Sequence, residues 1–314
     1  MTDHAFRIVT RTQGNNRALK DGTIRVPGAP LEFEEVPVLV KGFRRMVREL
    51  AYDICEMALT TYITARAHGV AFTALPIFLV RDFHHGAMSW NTGLGLTRPK
   101  DLEGRRVAVN RGYTVTTGVW ARSILQDEHG VDLSRVSWAP TGDEHVASFV
   151  NPPNVRNLPE GTEVGEEIAA GRLAGIVGAT VEAPGVAPII PDAFAAGVAA
   201  LKTRGLYPIN HLVVVRDDVL AANPGLGAAL FEAFAASKRL YVDDLRAGRV
   251  GAPTAADRVH LAALDIMADP LPYGIAPNLK TLETLMGHAV TQRIIPAPVP
   301  VEDLFAAETR ELVG

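Results

Sequence analysis

Short apolar runs with the length of buried strands alternate with segments of helical periodicity, and this alternation constrains the fold more than any other feature. The first strands are predicted at residues 6–10, 31–36, 52–57 and 72–80. Apolar residues recur at helical spacing from Phe43 to Leu50, and another helix is expected between the third and fourth strands. The order β, β, α, β, α, β predicts an α/β fold with a mostly parallel sheet flanked by helices.

A stretch with three glycines and a proline, residues 92–104, separates these elements from a second α/β series. The second series is predicted to contain strands at residues 107–110, 136–138, 173–180 and 211–215, and helices at residues 117–128, 223–241 and 279–291. Two α/β lobes with a ligand cleft between them account for this organisation, because small-molecule sites form preferentially where domains meet.

The composition is that of a globular protein and argues against several classes of function. A hydrophobic fraction of 47% and a net charge of −4 give no basic surface, which disfavours a nucleic-acid partner. Cys55 is the single cysteine, so an internal disulfide and multi-cysteine metal sites are excluded. The N-terminus has no apolar signal core, and no run approaches the roughly 18 apolar residues of a membrane helix. We therefore expect a cytoplasmic protein without a membrane partner.

Charged and titratable residues follow directly after the apolar run at residues 72–80, where the chain leaves the predicted sheet. Arg81 can hold a carboxylate through two parallel hydrogen bonds, and His84 and His85 can bind a ligand or transfer a proton near neutral pH. A structural role for at least one histidine remains open. Metal binding is disfavoured because neither HxH nor HExxH spacing is present, and we predict no metal. Asp82 either orients an imidazole or pairs with Arg81.

A second candidate site lies where a predicted strand leads into the helix near residue 117. Helix N-termini bind anions through free N–H groups, and threonine hydroxyls add further donors. The alternative is that Thr116 or Thr117 only caps the helix. Without GxGxxG or GxxxxGK[ST] spacing, nucleotide binding is disfavoured. The residues of this loop that we predict to bind substrate are Asn110, Tyr113, Thr114, Thr116 and Thr117.

Glu56 and His211 are the remaining candidates for proton transfer. Glu56 lies near the end of a predicted strand, and either faces the cleft or caps the next helix. His211 opens the apolar strand HLVVV, where it either reaches the cleft or lies in the core. The segment TGDEH, residues 141–145, is predicted to be a solvated loop. Cys55 lies inside an apolar strand and is expected to be an inert buried thiol, and no GxSxG motif supports a serine nucleophile.

Several longer segments resemble the 4,5-dihydroxyphthalate decarboxylase family, which is related to type 2 periplasmic binding proteins and to thiamine-pyrimidine biosynthesis proteins. The segments that carry the resemblance are YDICEMALTTYI, PIFLVRDFHH, KDLEGRRVAVNRGYTVTTGVWARSILQDEHGV, GLYPINHLVVVRDD and DPLPYGIAPN. The resemblance implies a two-lobed α/β fold of the type 2 periplasmic-binding-protein kind with an interlobe cleft. It implies a first lobe of residues 1–92 and 212–314, a second lobe of residues 93–211, and no organic cofactor.

The family resemblance also implies loss of carbon dioxide from a hydroxylated aromatic acid by protonation of the ring. In that scheme His85 is the acid, Glu56 or His211 is the base for the phenol, and Arg81 holds a carboxylate. The family usually has an arginine at the position of His84 and a serine at the position of Gly86. One guanidinium of a two-carboxylate clamp is then missing, which leaves the identity of the acid open.

Two other functions are compatible with the same residues. A non-catalytic solute-binding protein would use Arg81, His84 and the threonine loop only to hold a small aromatic or other carboxylate. A protein of the thiamine-pyrimidine type is disfavoured, because the chain shows neither a cysteine-rich nor a histidine-centred site. The sequence leaves open whether the chain forms a homo-oligomer.

Overall fold

The computed structural model describes residues 5–314, which divide into two compact units. The first unit contains residues 5–82 together with Ile209–Met286 and Val299–Gly314. The second contains Phe83–Pro208 and Gly287–Pro298. The chain therefore passes between the units after residues 82, 208, 286 and 298, whereas the sequence predicted two boundaries, after residues 92 and 211. His211, which the prediction assigned to the second lobe, belongs to the first unit.

Ten strands are present in the described part of the chain. They are β1 (Phe6–Val9), β2 (Leu31–Phe33), β3 (Ile54–Ala58), β4 (Phe72–Arg81), β5 (Met88–Asn91), β6 (Arg106–Val109), β7 (Ser137–Pro140), β8 (Gly175–Val177), β9 (Val186–Pro188) and β10 (Ile209–Arg216).

Ten α-helices accompany these strands in residues 5–314. They are α1 (Arg17–Lys20), α2 (Leu39–Glu49), α3 (Leu59–Ala67), α4 (Thr116–His129), α5 (Val164–Ala169), α6 (Ala193–Arg204), α7 (Asp217–Ala222), α8 (Leu226–Arg246), α9 (Ala255–Leu264) and α10 (Leu279–Thr291). Short 3₁₀ helices include Gly14–Asn16 and His84–Gly86. No helix of the described residues is long and apolar enough to cross a membrane.

The sheet of the first unit has the order β2-β1-β3-β10-β4. Strands β1, β2 and β3 are parallel, but β10 pairs antiparallel with both β3 and β4. Four of the five strands run in the same direction, so the sheet is mostly parallel as predicted, and β10 alone runs the opposite way between β3 and β4. As a result, the start of β10 lies at the same sheet edge as the carboxyl ends of β3 and β4.

The sheet of the second unit has the order β7-β6-β8-β5-β9. Strands β6, β7 and β8 are parallel, while β5 pairs antiparallel with both β8 and β9. The central strands β6 and β8 are almost entirely buried, in agreement with their apolar sequences. Helix α4 follows β6 through the loop at residues 110–115, as the sequence predicts.

Close packing fixes the turn that follows β1 in the first unit. Gly14 lies against the ring of Tyr241 in α8, and a Cβ atom at residue 14 would stand 2.2 Å from Tyr241 Cε2. Only glycine fits this contact. The 3₁₀ helix Gly14–Asn16 is thereby held against α8, next to the sheet edge where β1 ends.

Candidate functional site

The sheet edge of the first unit brings two of the predicted catalytic residues together. Glu56 in β3 is fully buried, and its Oε1 lies 2.6 Å from Nδ1 of His211 in β10. Its other oxygen, Oε2, accepts the backbone N–H of Arg11 at 2.9 Å. The carboxylate is thus satisfied on both oxygens, and it faces an imidazole rather than capping α3.

The antiparallel register explains why these two side chains meet. Val213 lies opposite Glu56, and His211 lies opposite Ala58. Residues directly opposite in an antiparallel pair point to the same face, so Glu56 and His211 are diagonal neighbours on one face of the sheet. The pairing depends on the antiparallel direction of β10, which the sequence analysis did not predict.

The second imidazole nitrogen of His211 is available for chemistry. Nε2 makes no hydrogen bond within residues 5–314, and the side chain keeps 15% of its surface exposed. The ring of Phe43 contacts the imidazole edge to face, with 5.1 Å between ring centroids. A carboxylate on Nδ1 fixes the tautomer and ring orientation and leaves Nε2 to exchange a proton.

Arg81 ends β4 at the same edge but is largely engaged inside the first unit. It is 2% exposed, and its Nη2 donates to the carbonyl oxygen of Pro272 at 3.2 Å and to Oδ1 of Asn278. These contacts hold the guanidinium in place. Binding of a substrate carboxylate by Arg81 stays a prediction.

A buried tyrosine lies in the same unit, within the electrostatic reach of these groups. Burial raises the pKa of Tyr273 well above its ordinary value, the charges of Asp269 and Glu56 raise it further, and Arg81 lowers it. Lys238 stands 5.2 Å from the Tyr273 ring centroid and forms an ion pair with Asp269. Burial lowers the pKa of Lys238, although the ion pair opposes this effect.

In the second unit, the donors at the predicted anion site are taken by a carboxylate of the chain itself. Glu144 accepts the backbone N–H of Tyr113 and the N–H and hydroxyl of Thr114, with Thr114 Oγ1 at 2.5 Å. Gly112 lies beside this carboxylate, and a Cβ atom there would stand 2.6 Å from Glu144 Oε2, so a larger residue would displace the Glu144 side chain. Burial raises the pKa of Glu144, against the opposing effect of the hydrogen bonds from Thr114 and Tyr113 and the charge of Arg122.

The segment at residues 141–145 is a loop, as the sequence predicted, but it is only partly solvated. Glu144 is half-buried and His145 is 3% exposed. The segment is held by backbone bonds from residues 141 and 142 to the carbonyl oxygen of Arg111. The Glu144 carboxylate of this loop accepts hydrogen bonds from Tyr113 and Thr114 in the turn before α4.

The other loop residues predicted to bind substrate have mixed environments. Val115, not a threonine, occupies the N-cap position of α4. Thr116 is buried and Thr117 is half-buried. Asn110 Nδ2 donates to the carbonyl oxygen of Gly178 at 3.2 Å. The Tyr113 ring lies 4.0 Å from Cζ of the buried Arg122. A role of these residues in substrate binding stays a prediction.

His84 and His85 are both buried in the second unit, in the 3₁₀ helix that follows residue 83. His85 Nε2 lies 3.0 and 3.1 Å from the two carboxylate oxygens of Glu128, in the last turn of α4. At 1.5 Å per residue, about 18 Å of helix axis separates Glu128 from Thr116. The structure therefore does not bring His85 together with the start of α4.

The acidic end of α4 has further basic partners. Arg204 Nη1 lies 2.6 Å from Glu128 Oε1, and His288 Nε2 lies 2.9 Å from Asp127 Oδ2. Burial acts to raise the pKa of Glu128, but the hydrogen bond and charge of His85 with the charge of Arg204 outweigh it, and the pKa is lowered. Among residues 5–314, no three histidine, cysteine or acidic side chains are grouped as a metal would require.

Sequence reasoning missed several polar residues at these places. They are Gln13 and Asn15 after β1, which each carry a buried polar atom without a hydrogen-bond partner among the described residues, Asp127 and Glu128 at the end of α4, and His288 in α10. Glu144 was considered only as part of a loop predicted to be solvated. Gln13 and Asn15 had one usable signal, because they follow a predicted strand at the carboxyl edge of a sheet. The partners of α4 had none, because their sequence positions are far apart.

Comparison with curated proteins identifies close relatives in sequence. The chain is 30% identical over 291 residues to the 4,5-dihydroxyphthalate decarboxylase of Comamonas testosteroni, with 87% of each protein covered. It is 31% identical over 171 residues to the protein of that name from Pseudomonas putida, covering 52% of this chain and 65% of that protein. No family model matches the chain.

Solved structures show the fold. The chain is similar to protein AF1704 from Archaeoglobus fulgidus, with a TM-score of 0.55, 13% identity, and 94% of this chain and 100% of that one covered. It is also similar to the periplasmic aliphatic sulphonate binding protein SsuA from Escherichia coli, with a TM-score of 0.54, 12% identity and coverage of 97% and 92%. The predicted α/β periplasmic-binding-protein-like fold is confirmed.

The extent of the sequence match, not the fold, carries the family assignment. The match to the Comamonas protein runs through most of both chains at 30% identity. Both curated relatives have the same name, and the fold agrees with the one that the resemblance implied. The chain belongs to the 4,5-dihydroxyphthalate decarboxylase family.

Proposed function

We propose that this protein decarboxylates a hydroxylated aromatic carboxylic acid of the 4,5-dihydroxyphthalate type, and that His211 transfers the proton. The observation that supports this most is the Glu56–His211 pair, a buried carboxylate 2.6 Å from one nitrogen of a partly exposed imidazole. The relatives named 4,5-dihydroxyphthalate decarboxylase support the substrate class.

The proposed reaction replaces a carboxylate on an aromatic ring by a proton. A free aryl anion is too unstable to form, so the ring carbon that bears the carboxylate is protonated before the carbon–carbon bond breaks. The para hydroxyl donates electron density and stabilises the positive ring. The bond to the carboxylate then breaks, its electron pair restores the aromatic ring, and carbon dioxide leaves.

His211 suits the role of acid in this scheme. Its Nε2 gives the proton to the ring carbon, and Glu56 on Nδ1 orients the imidazole throughout. The neutral imidazole then regains a proton from water, which balances the reaction as carboxylate plus proton giving arene plus carbon dioxide. Only a proton and carbon dioxide move, so the proposed scheme calls on no organic cofactor.

This proposal changes the roles that the sequence suggested for the two histidines. His85 was the expected acid, but its Nε2 is bound to Glu128 at the far end of α4. His211 was an expected phenol base, and the proposal makes it the acid. Arg81 remains the proposed cation for a second, spectator carboxylate, since it ends β4 at the edge that carries Glu56.

Release of carbon dioxide from 4,5-dihydroxyphthalate tests the proposal. We expect turnover by the wild type, a loss of kcat of about 10² to 10⁴-fold in His211→Gln, and a smaller loss in Glu56→Gln, which removes only the orienting charge. His68→Gln is the matched control, because this exposed histidine lies in the same unit, and it should leave kcat unchanged.

A solute-binding function without chemistry is the second candidate, and the likeness to SsuA favours it. Its signature is a rise in melting temperature with aromatic acids and no carbon dioxide from any of them. That result, or full activity in His211→Gln, would rule out the proposed mechanism.

A further inference from the structure

The turn after β1 holds two buried polar atoms that have no hydrogen-bond partner within residues 5–314. They are Oδ1 of Asn15, an acceptor on a residue that is 1% exposed, and Nε2 of Gln13, a donor. Buried polar groups are nearly always satisfied in folded proteins, and exceptions often mark a place for a water molecule or a ligand. Two such atoms in one short turn call for an explanation.

The orientation of the Asn15 amide is fixed by its surroundings. Nδ2 donates to the carbonyl oxygen of Leu79 at 2.9 Å and lies 3.4 Å from the hydroxyl oxygen of Tyr273. A carbonyl oxygen accepts only from a donor, so the amide cannot be flipped without losing the bond to Leu79. The unpartnered atom of Asn15 is therefore the oxygen.

The turn itself is held rigidly and close to the proposed catalytic pair. Gly14, between the two residues, packs against the ring of Tyr241. Arg11, at the start of the same loop, donates its backbone N–H to Glu56. Through Leu79 the turn also reaches the last residues of β4. The turn that carries the unpartnered atoms thus adjoins the sheet edge of Glu56 and His211.

We propose that Asn15 Oδ1 and Gln13 Nε2 form a subsite for a phenolic hydroxyl of the substrate. This inference rests on the proposed function and adds a specificity element to the same site. A hydroxyl is the one common substituent of such acids that both donates and accepts a hydrogen bond, and it satisfies an acceptor and a donor together. An ionised carboxylate only accepts, and would leave Asn15 Oδ1 unpartnered.

The subsite also has a chemical consequence. A hydroxyl that donates to Asn15 Oδ1 gains electron density on its oxygen, and this density stabilises the protonated ring if the hydroxyl is para to the departing carboxylate. Asn15 and Gln13 would then select for hydroxylated rings. A ring without a hydroxyl would leave Asn15 Oδ1 and Gln13 Nε2 buried without hydrogen bonds. This penalty is the reason why a polar site discriminates strongly against ligands that lack the hydroxyl.

Binding of two simple acids tests the subsite without turnover of the expected substrate. The probes are 3,4-dihydroxybenzoate, which is the product expected from 4,5-dihydroxyphthalate, and benzoate, which lacks both hydroxyls. Titration calorimetry gives the ratio of their dissociation constants, which is the hydroxyl preference. We expect the wild type to prefer the dihydroxy acid, and Asn15→Ala and Gln13→Met each to reduce that preference by about tenfold.

Arg17→Gln is the control, because Arg17 is an exposed residue that directly follows the turn. It should leave the binding of both acids, and therefore the ratio, unchanged. Gln13→Met preserves side-chain length, so it remains informative if Asn15→Ala fails to fold. An unchanged ratio in Gln13→Met, or no hydroxyl preference in the wild type, overturns the subsite and leaves water as its occupant. If the wild type also releases no carbon dioxide, the proposed function fails as well.

Discussion

At the scale of single residues, Glu144 shows that a carboxylate of the protein itself can occupy the hydrogen-bond donors of a predicted anion site. The turn before α4 offers N–H and hydroxyl donors from Tyr113 and Thr114, as an anion site requires. Glu144 occupies these donors from the neighbouring loop. A substrate carboxylate would have to displace it, so we do not assign the substrate anion to this turn.

The raised pKa of Glu144, which burial causes, gives a testable dependence of stability on pH. For an acid whose pKa is raised on folding, the stabilising contribution is complete below its unfolded pKa and is lost as pH rises through the folded pKa. We expect the free energy of unfolding of the wild type, relative to Glu144→Gln, to fall by about 1 kcal/mol from pH 4 to pH 7.

Urea denaturation followed by tryptophan fluorescence measures this difference, since Trp120 and Trp138 are buried in the same unit. Asp143→Asn is the control, because this neighbouring side chain is exposed. If the stability relative to Glu144→Gln rises with pH instead, the hydrogen bonds from Tyr113 and Thr114 have a larger effect on the pKa of Glu144 than burial has.

At the scale of elements, α4 has polar contacts at both ends, and the contacts at its last turn join distant parts of the second unit. Glu128 binds His85 and Arg204, and Asp127 binds His288. These partners come from the 3₁₀ helix at residues 84–86, from α6 and from α10. The acidic end of α4 is therefore a structural junction, and the contact with Glu128 accounts for the burial of His85.

Glu128→Gln tests the junction. The pKa of Glu128 is lowered, because His85 and Arg204 outweigh the effect of burial. A carboxyl group whose pKa is lowered on folding stabilises the folded state at pH values above its unfolded pKa. This stabilisation is lost as the pH falls through the folded pKa. We expect the variant to lose about 1 to 2 kcal/mol of unfolding free energy at pH 7 and less at pH 3.5.

Denaturant titrations at the two pH values measure the loss, with Glu160→Gln as a control at an exposed position of the same unit. A deficit that grows toward low pH would contradict the interpretation of Glu128 as an ionised partner. Activity toward 4,5-dihydroxyphthalate should be retained at a temperature where the variant is folded.

Local patterns predicted many elements well, since helix 279–291 agrees with α10, and β1, β4 and α4 deviate by a residue or so. Helices α6 and α9 were not predicted. The sequence of α6, AFAAGVAALKTR, is almost uniformly apolar and alanine-rich, so it lacks the polar face that marks an amphipathic helix. The antiparallel direction of β10 was missed because strand direction depends on the path of the chain between strands and not on local periodicity.

The same limit applies to the candidate site. Glu56 and His211 were named from their positions at strand ends, but their contact depends on the register of β10 with β3. His85 was named from its neighbour Arg81, yet the two residues belong to different units. Residues that are close in sequence are assigned to different units when the chain changes unit between them. No local sequence pattern predicted that the change occurs after residue 82.

At the scale of the whole molecule, the second unit is completed by a segment from the end of the chain. Gly287–Pro298 belongs to this unit, although nearly 80 residues of the first unit precede it. Gln292 in this segment accepts from Nε of the buried Arg122 at 2.7 Å, and its Nε2 donates to the carbonyl oxygen of Val119 at 3.1 Å. Folding of the second unit therefore depends on residues that lie far away in sequence.

Gln292→Met tests this dependence. Burial lowers the pKa of Arg122, which shows that its charge is costly in this environment and that its remaining hydrogen bonds matter. Methionine fills a similar volume but accepts only weakly, so the guanidinium loses its partner at Nε. We expect a loss of about 3 kcal/mol in unfolding free energy, against less than about 0.5 kcal/mol for the exposed neighbour Thr291→Ala. Equal stability of the two variants in urea denaturation would show that the second unit holds Arg122 without its distant segment.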